Sequence, residues 1–593
     1  MKQIKLYTLY VTGNEREYLV EISHNPSLDM EFWYRRREYR RLVVCSAFIP
    51  FRQAYELLHQ IASDRERKGV QLKERKSLHD AARQIGKKIL KLGHEREYRE
   101  LMVSNRQIMS PEELKKIRAQ LSGRMLLPAE IRRALGEAGF LPTGDIEDAL
   151  QLLYLSRYIR RIPGISTDGA HQVCMRCGES EILHSCPKCG DRCAVCESCR
   201  EMGYVTECEA LYVFNSSGLD AYPKRRVMLE LPFDLTEPQK YAAAELLEFL
   251  KGTQKEALVW AACGAGKTEV SFPAMARVLS TGKKVLYATP RRDVVTEMEK
   301  RFRAAFPGVE LAVLKGGSRA YFKKAQLLVA TTHQVIRFYK AFDLVVLDEV
   351  DAFPYQGNRV LHRAVQRSRK PGGRIIYLTA TPGKVMQGDI AAGKLKYLTI
   401  PSRHHGYPLP EPELVTLKGS SLEKVANLVY QNIEGEMCQL ILFLPTILQA
   451  QEVVGDLRQF LCSSPYNVPS EWFQYSHSRD YHREEKCRHF REGKFPVLVC
   501  TSILERGINI PRVNVLVLHA DRESIFDTSS LVQMAGRAGR FESYPGAKVW
   551  FMGVSVSPAM REAKAQIRML NREAYERGYL RKEYYEGTVP GTN

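Results

Sequence analysis

Leu258-Val259-Trp260-Ala261-Ala262-Cys263-Gly264-Ala265-Gly266-Lys267-Thr268-Glu269 is the stretch that decides the fold. Its opening apolar residues read as a buried strand, its centre as a Gly-rich turn, and Glu269 to Leu279 as a helix. Strand, turn and helix in that order form a phosphate-binding loop. In such a loop the N–H groups of Ala262, Cys263, Gly264, Ala265 and Gly266 turn towards phosphate oxygens, and the helix N-terminus adds partial positive charge at the same point. Lys267 then reaches the β- and γ-phosphates, and the Thr268 hydroxyl ligates Mg²⁺.

Outward from the loop the chain alternates strand and helix signals. Strands are predicted over Lys284 to Ala288, Leu327 to Ala330, Leu344 to Leu347 and Ile375 to Leu378. This is the rhythm of a parallel α/β sheet, whose functional loops follow the strand C-termini. Asp348-Glu349-Val350-Asp351 stands at such an end, with Asp348 placed to hold Mg²⁺ through water and Glu349 to orient and deprotonate an attacking water. Thr379-Ala380-Thr381, Thr289-Pro290-Arg291 and Thr331-Thr332 also follow strands. Upstream, Pro232 to Lys240 leads into a helix, and Gln239 there can read an adenine edge or cap the helix start.

A second α/β set begins near Val415. Gln439 to Leu444 is a strand ending at Thr446, and Arg483 to Gly493 a helix. The strand Val497 to Cys500 leads into Thr501 and the segment Glu505-Arg506-Gly507-Ile508-Asn509. Leu531-Val-Gln533-Met-Ala-Gly-Arg537-Ala-Gly-Arg540 reads as a helix start with Arg537 and Arg540 on one face. Arginine's fixed planar donors suit the charge on a transferring γ-phosphoryl group.

Eight of the 14 cysteines lie between Cys174 and Cys208. Cys174-x-x-Cys177-Gly and Cys186-x-x-Cys189-Gly are knuckles that each offer two thiolates to one Zn²⁺, and Cys193, Cys196, Cys199 and Cys208 follow. Eight ligands suffice for two ions, and the spacing leaves sequential and interleaved pairing both open. Four thiolates per ion leave no position for water, so the role is structural.

The 593 residues predict three to five units of roughly 100–200 residues each. The net charge of +20 favours a polyanionic partner, nucleic acid before an acidic membrane. No apolar run approaches the ~18 residues of a membrane span. Met1 to Ile22 alternates as a strand pair, not as a signal peptide, so a cytoplasmic protein is expected. Trp33 to Arg41 interleaves cations with aromatic rings, which suits either a nucleic-acid surface or a solvated basic face. From Phe51 to about Leu135 the pattern reads as helical and highly charged, with no chemistry assigned.

In order, Gln239, the Ala-x-x-Gly-x-Gly-Lys-Thr loop, DEVD, TAT, Thr501 to Asn509 and QMAGRAGR resemble the motifs of superfamily-2 helicases. The resemblance implies two RecA-like lobes that close on ATP. It places Lys267, Thr268, Asp348, Glu349, Gly507, Gln533, Arg537 and Arg540 on the nucleotide. Thr289, Arg291, Thr332, Thr446 and Thr501 fall on the nucleic-acid side. Asn509 stands where the family often has Asp. The cysteine module ahead of the motor, Asp348 to Tyr355, Ile503 to Gly507 and Leu531 to Arg540 are similar, more narrowly, to the late-competence ComFA family. That resemblance implies an ATPase stimulated by single-stranded DNA, peripheral on the inner face of the membrane. It would draw transforming DNA through the uptake channel alongside ComFC and DprA. The rival readings are a replication-restart or repair helicase, an RNA remodeller, and a DNA-binding scaffold with an inactive motor.

The expected architecture is therefore two RecA-like parallel-sheet lobes behind a zinc module and a mixed, largely helical basic N-terminal region. Its divisions fall at 1–165, 166–215, 216–402 (lobe 1), 403–555 (lobe 2) and 556–593 (helical tail).

Overall fold

The computed structural model describes residues 5–581 apart from 14–17, 37, 40, 67–76, 104–107, 141–144, 169–170, 191–192, 217, 219–220, 319–321, 418–420, 436–437, 478–479 and 502–509. Two parallel sheets dominate it. The lobe 1 sheet runs, edge to edge, through Leu311–Leu314, Leu327–Thr331, Val285–Thr289, Phe342–Asp348, Arg369–Thr379, Glu256–Ala261 and Lys396–Ile400. The lobe 2 sheet runs through Glu413–Thr416, Val549–Gly553, Val513–Leu518, Gln439–Phe443, Val497–Cys500 and Phe473–Ser476. Central strands such as Val285–Thr289 and Val513–Leu518 are buried at every residue, as strands covered by helices on both faces must be. Helix Arg292–Ala305 shows the matching helical period, burying Val295, Met298, Phe302 and Ala305.

The helix expected after the phosphate loop is split into Lys267–Val270 and Phe272–Ser280. Pro273 lacks an N–H and crowds the carbonyl four residues back, and the Ser271 hydroxyl instead donates to the Thr268 carbonyl at 2.6 Å. Helix Thr528–Ala535 likewise stops before the two arginines. Gly536 caps it and Gly539 has φ +60°, so Arg537 and Arg540 sit in the turn beyond it instead of on one helix face.

The N-terminal region holds a sheet ordered Tyr18–Ser23, Leu6–Gly13, Leu42–Ser46 and Arg96–Leu101, all antiparallel, with Ile49–Pro50 also paired to Leu6–Gly13. Six helices accompany it among the described residues, from Pro26–Arg35 to Ile146–Leu155. Arg96–Leu101 corrects the helical reading of that stretch. Its charges mark an exposed edge strand, where they discourage pairing with other chains. Trp33 is also corrected: it is 5% exposed and donates from Nε1 to the Tyr10 hydroxyl at 3.1 Å, so its ring belongs to the core. A three-stranded sheet of Arg124–Leu126, Ala210–Phe214 and Ile159–Pro163 frames the cysteine module from both sides in sequence.

Asp29 is fully buried under this N-terminal sheet, with Gln151 Nε2 2.8 Å from one carboxylate oxygen. Burial lifts its pKa to about 7. The folded chain thus keeps this proton up to about pH 7, whereas an unfolded Asp releases it near pH 4. Stability supplied here is full below pH 4 and is lost as pH rises through 7, at ~1.4 kcal/mol per pH unit between the two values. Asp29→Asn is expected to flatten that slope. Hydrogen exchange of Leu6–Gly13 and Leu42–Ser46 at pH 5 and 7.5 checks it.

Candidate nucleotide site and metal centres

The phosphate loop leaves its strand at Ala261 and turns through Gly264 (φ +84°) and Gly266 (φ +70°), conformations that suit glycine. A Cβ on Gly266 would also lie 2.5 Å from Gln239 Nε2. Gln239 is buried. Its amide nitrogen donates to the Ala265 carbonyl at 2.9 Å, while its oxygen accepts from Thr236 N–H at 2.9 Å. Gln239 therefore caps helix Glu237–Lys251, the second of the two readings, and its amide nitrogen is spent on the phosphate loop.

Three lobe 1 groups converge on Asp348. Lys267 Nζ lies 3.0 Å from Oδ1, and Thr268 Oγ1 and the Tyr287 hydroxyl lie 3.1 and 2.6 Å from Oδ2. Burial and the Asp348 charge raise the Tyr287 pKa well above its ordinary value, so it remains a neutral donor. Glu349 follows at φ +56°, a costly conformation for a residue with a Cβ, and Arg291 Nε stands 3.9 Å from its Oε2.

The turn after Thr528–Ala535 of lobe 2 faces this site. Gly536 approaches so closely that a Cβ there would lie 2.3 Å from Cys263 Cβ. Gln533 bridges the gap, with Oε1 3.4 Å from Cys263 Sγ and Nε2 3.2 Å from Asp351 Oδ2. Arg537 is buried, and Arg540 donates from Nε to the Gly536 carbonyl at 2.8 Å. Burial lowers the Arg540 pKa while Cys263, Glu297 and Glu349 oppose that shift, which sets this guanidinium among the lobe 1 groups.

Two interlobe residues were missed from sequence. Asp351 accepts from Thr379 at 2.8 Å and Thr381 at 2.9 Å in lobe 1, and from Ser529 at 2.9 Å in lobe 2. It thus ties DEVD, TAT and QMAGRAGR together, and its acidity beside an already assigned pair was the available signal. Arg403 sits in the linker, 2% exposed. It donates to Cys263 O at 2.9 Å, Ala538 O at 2.7 Å, Gly536 O at 3.2 Å and Gly539 O. Nothing in Pro401-Ser-Arg-His-His405 announces this.

The five residues expected on the nucleic-acid side all lie at or just beyond strand C-termini. Thr289 ends strand Val285–Thr289, Arg291 follows it and Thr332 follows the adjacent strand Leu327–Thr331, while Thr446 and Thr501 follow Gln439–Phe443 and Val497–Cys500. The Thr289 and Thr332 hydroxyls are buried without a hydrogen-bond partner among the described residues. Thr446 caps helix Ile447–Leu461 through Gln449 N–H at 3.2 Å. Gly507, with Glu505, Arg506, Ile508 and Asn509, lies outside the described residues.

The eight cysteines form two interleaved quartets, Cys174, Cys177, Cys196 and Cys199, and Cys186, Cys189, Cys193 and Cys208. Within each, all sulfurs lie within 4.8 Å of one another. That donor set and spacing fit a tetrahedral Zn²⁺ in each quartet, with no position left for catalytic water. The first quartet shares an apolar cluster with Ile336, Val360 and Ala364 of lobe 1. Beside it Arg176, 0% exposed, donates to both Glu130 oxygens at 2.8 and 3.0 Å, and Arg337 Nε donates to Glu130 at 2.8 Å. These two cations hold the Glu130 carboxyl below its usual range despite burial. The module is thereby fastened to the Thr332–Arg337 segment of lobe 1.

Parallel lobes meeting over a phosphate loop, an Asp-Glu pair and two arginines define a superfamily-2 helicase motor. Residues 232–384 match the family described as type III restriction enzyme, res subunit, and 422–542 match the helicase conserved C-terminal domain. Residues 109–213 match the competence protein ComFA N-terminal domain. Competence protein ComFA of Bacillus subtilis (strain 168) is 35% identical over 426 residues, covering 70% of this chain and 89% of that protein. The same protein of Streptococcus pneumoniae (strain ATCC BAA-255 / R6) is 33% identical over 421 residues, covering 70% and 94%. Replication restart protein PriA of Rickettsia conorii (strain ATCC VR-613 / Malish 7) is 27% identical over 231 residues, covering 36% and 35%. The chain belongs to the competence protein ComFA family.

Proposed function

We propose that this protein is an ATP-driven translocase of single-stranded DNA that imports transforming DNA during natural competence. The observation that carries the motor reading is that Gln533, and Arg540 in the turn that also holds Arg537, reach across to the lobe 1 groups around Lys267, Thr268, Asp348 and Glu349. Membership of the ComFA family carries the biological direction.

Bound Mg²⁺–ATP would supply the phosphoryl group. Thr268 and Asp348 would hold the cation, Lys267 would turn from Asp348 to the β- and γ-phosphates, and the N–H groups of Ala262 to Gly266 would cradle them. Glu349, fixed at positive φ, would take the proton of the attacking water. Arg537 and Arg540 would meet charge on the transferring group from the other lobe, with Gln533 beside them. Asp351 accepts from both lobes and would report closure to TAT. Thr289, Arg291, Thr332, Thr446 and Thr501, with Gly507 on the nucleotide side, complete the assignment. Because Thr289 and Thr332 are buried, a strand would meet the backbone around them and Arg291 before their hydroxyls.

The motor divides from its neighbours at 1–165, 166–215, 216–402, 403–555 and 556–593 in this reading. ComFC, DprA and the uptake channel are its proposed partners at the inner membrane face. No helix among the described residues is long and apolar enough to cross a membrane. Each cysteine quartet would hold one structural Zn²⁺. Cys186→Ser with Cys189→Ser is then expected to take zinc from two ions per chain to one, and Cys174→Ser with Cys177→Ser to do the same while also disturbing lobe 1. Metal analysis giving two ions in either variant contradicts the ligand assignment.

Steady-state ATP hydrolysis with no nucleic acid, single-stranded DNA, forked duplex and RNA tests the function. Selective stimulation by single-stranded DNA is expected. Stimulation chiefly by forked duplex would replace this reading with replication restart, and chiefly by RNA with RNA remodelling. No hydrolysis under any condition, with ComFC present, would leave a scaffold.

A further inference from the structure

A strip of cations and aromatic rings crosses the seam between the N-terminal region and lobe 1. Arg118, on helix Pro111–Leu121, lies 3.4 Å from the ring centroid of Tyr158. Two residues on, and so towards the same side of the strand entry, Arg160 donates from Nη2 to the Tyr339 hydroxyl at 2.7 Å and lies 5.3 Å from that ring. Lys340 lies 5.2 Å from the same ring. Tyr339 and Lys340 precede strand Phe342–Asp348, whose far end carries Asp348. The strip is therefore separated from the nucleotide edge by that strand's length, roughly 20 Å at ~3.3 Å per residue.

Its charges are arranged unlike those around it. Neighbouring Arg132, Arg133 and Arg157 each pair with a glutamate. Arg118, Arg160 and Lys340 have no carboxylate in ion-pair reach among the described residues, only rings. Arg160 and Lys340 are exposed, and Tyr158 is 44% exposed. Cations held over rings keep their charge accessible while losing less side-chain freedom on binding than cations free in solvent.

We propose that this strip is a second binding track for single-stranded nucleic acid, with Arg118, Arg160 and Lys340 on phosphates and Tyr158 as a stacking platform for a base. The combination of cations without carboxylate partners and a half-exposed ring fits unpaired bases on a phosphate backbone better than an anionic lipid surface, which has no ring to stack. The proposal rests on the single-stranded DNA reading above. A strand gripped at the nucleotide edge of lobe 1 would run on to this seam.

The test is equilibrium binding of fluorescent single-stranded DNA to the full chain at several salt concentrations, without nucleotide. Arg118→Ala/Arg160→Ala/Lys340→Ala is compared with Arg118→Lys/Arg160→Lys, which keeps the charges. Zinc content and melting temperature check that each variant folds. Removing three phosphate contacts is expected to reduce the salt slope of log K by about 2, so that the affinity loss grows as salt falls. The Lys variant keeps the slope. An oligonucleotide of about 10 nucleotides, within the range of one site, is expected to lose much less than one several times longer.

An unchanged slope in the triple Ala variant, with the wild type binding normally, overturns the track and leaves the proposed function standing. A triple variant that releases anionic phosphatidylserine vesicles but not DNA also overturns it, in favour of membrane docking. A wild-type chain that does not bind single-stranded DNA sinks the proposed function and the track with it.

Discussion

Lys267→Ala is expected to lower ATP turnover on the order of 10³-fold, with or without DNA, while leaving the fold and zinc content unchanged. The size of the effect follows from where the charge sits. The Lys267 side chain is 19% exposed, and its Nζ lies 3.0 Å from Asp348. Charge developing on a transferring phosphoryl group is stabilised most by donors already in place, and losing one costs about 10²–10³-fold. The fold has no such dependence. The loop's shape comes from Gly264 and Gly266 at positive φ and from the Gln239–Ala265 hydrogen bond, none of which involves the lysine side chain. Asp348 keeps the Thr268 and Tyr287 hydroxyls. Phosphate release alongside a melting curve separates the two effects. Turnover near wild type would remove Lys267 from the chemistry. Loss of both turnover and melting transition would make it a structural residue.

What was legible in the sequence is what local chemistry dictates. Gly264, Gly266 and Lys267 stand after a strand because a backbone cradle for phosphate needs them there, and buried parallel strands such as Val513–Leu518 must be apolar throughout. The eight cysteines pointed by type and spacing to metal-ligand clusters, and the fold gathers them into two quartets. Their interleaving was not legible, because Cys193 and Cys196 both continue a C-x-x-C pattern and only the folded module sends one to each quartet. Arg96–Leu101 was misread because an exposed edge strand and an exposed helix share a charged composition. Trp33 was ambiguous because a ring among arginines looks the same in sequence whether it faces solvent or, as here, the Tyr10 hydroxyl. Asp351 and Arg403 depend on partners far along the chain: Ser529 and Gln533 for the first, Gly536 to Gly539 for the second. No local pattern encodes such pairings.

Arg403→Ala is expected to reduce ATP turnover on the order of 10²-fold and to loosen the lobes from each other. The guanidinium is enclosed between the phosphate loop and the arginine turn, bonded to Cys263 on one side and to Gly536, Ala538 and Gly539 on the other. Burial, with a contribution from Arg540, pushes its pKa down to about 9, so it is still a cation at neutral pH. Truncation leaves the Cys263 and Ala538 carbonyls without this donor, at about 1–3 kcal/mol for each that water cannot reach. The turn carrying Arg537 and Arg540 also loses its anchor to the loop that binds phosphate, and a shift of about 1 Å at a reacting centre costs on the order of 10²-fold. Arg403→Lys is not expected to rescue turnover, since one ammonium on a flexible stem cannot span carbonyls on both sides of the cleft. Binding of a nucleotide analogue separates this from a defect in lobe 1 itself: affinity set by Lys267 and the loop is expected to fall much less than turnover. Equal losses in both would place Arg403 in the nucleotide pocket. Unchanged turnover would mean that the lobes find their register without it, through Asp351 and the Gly536–Cys263 contact.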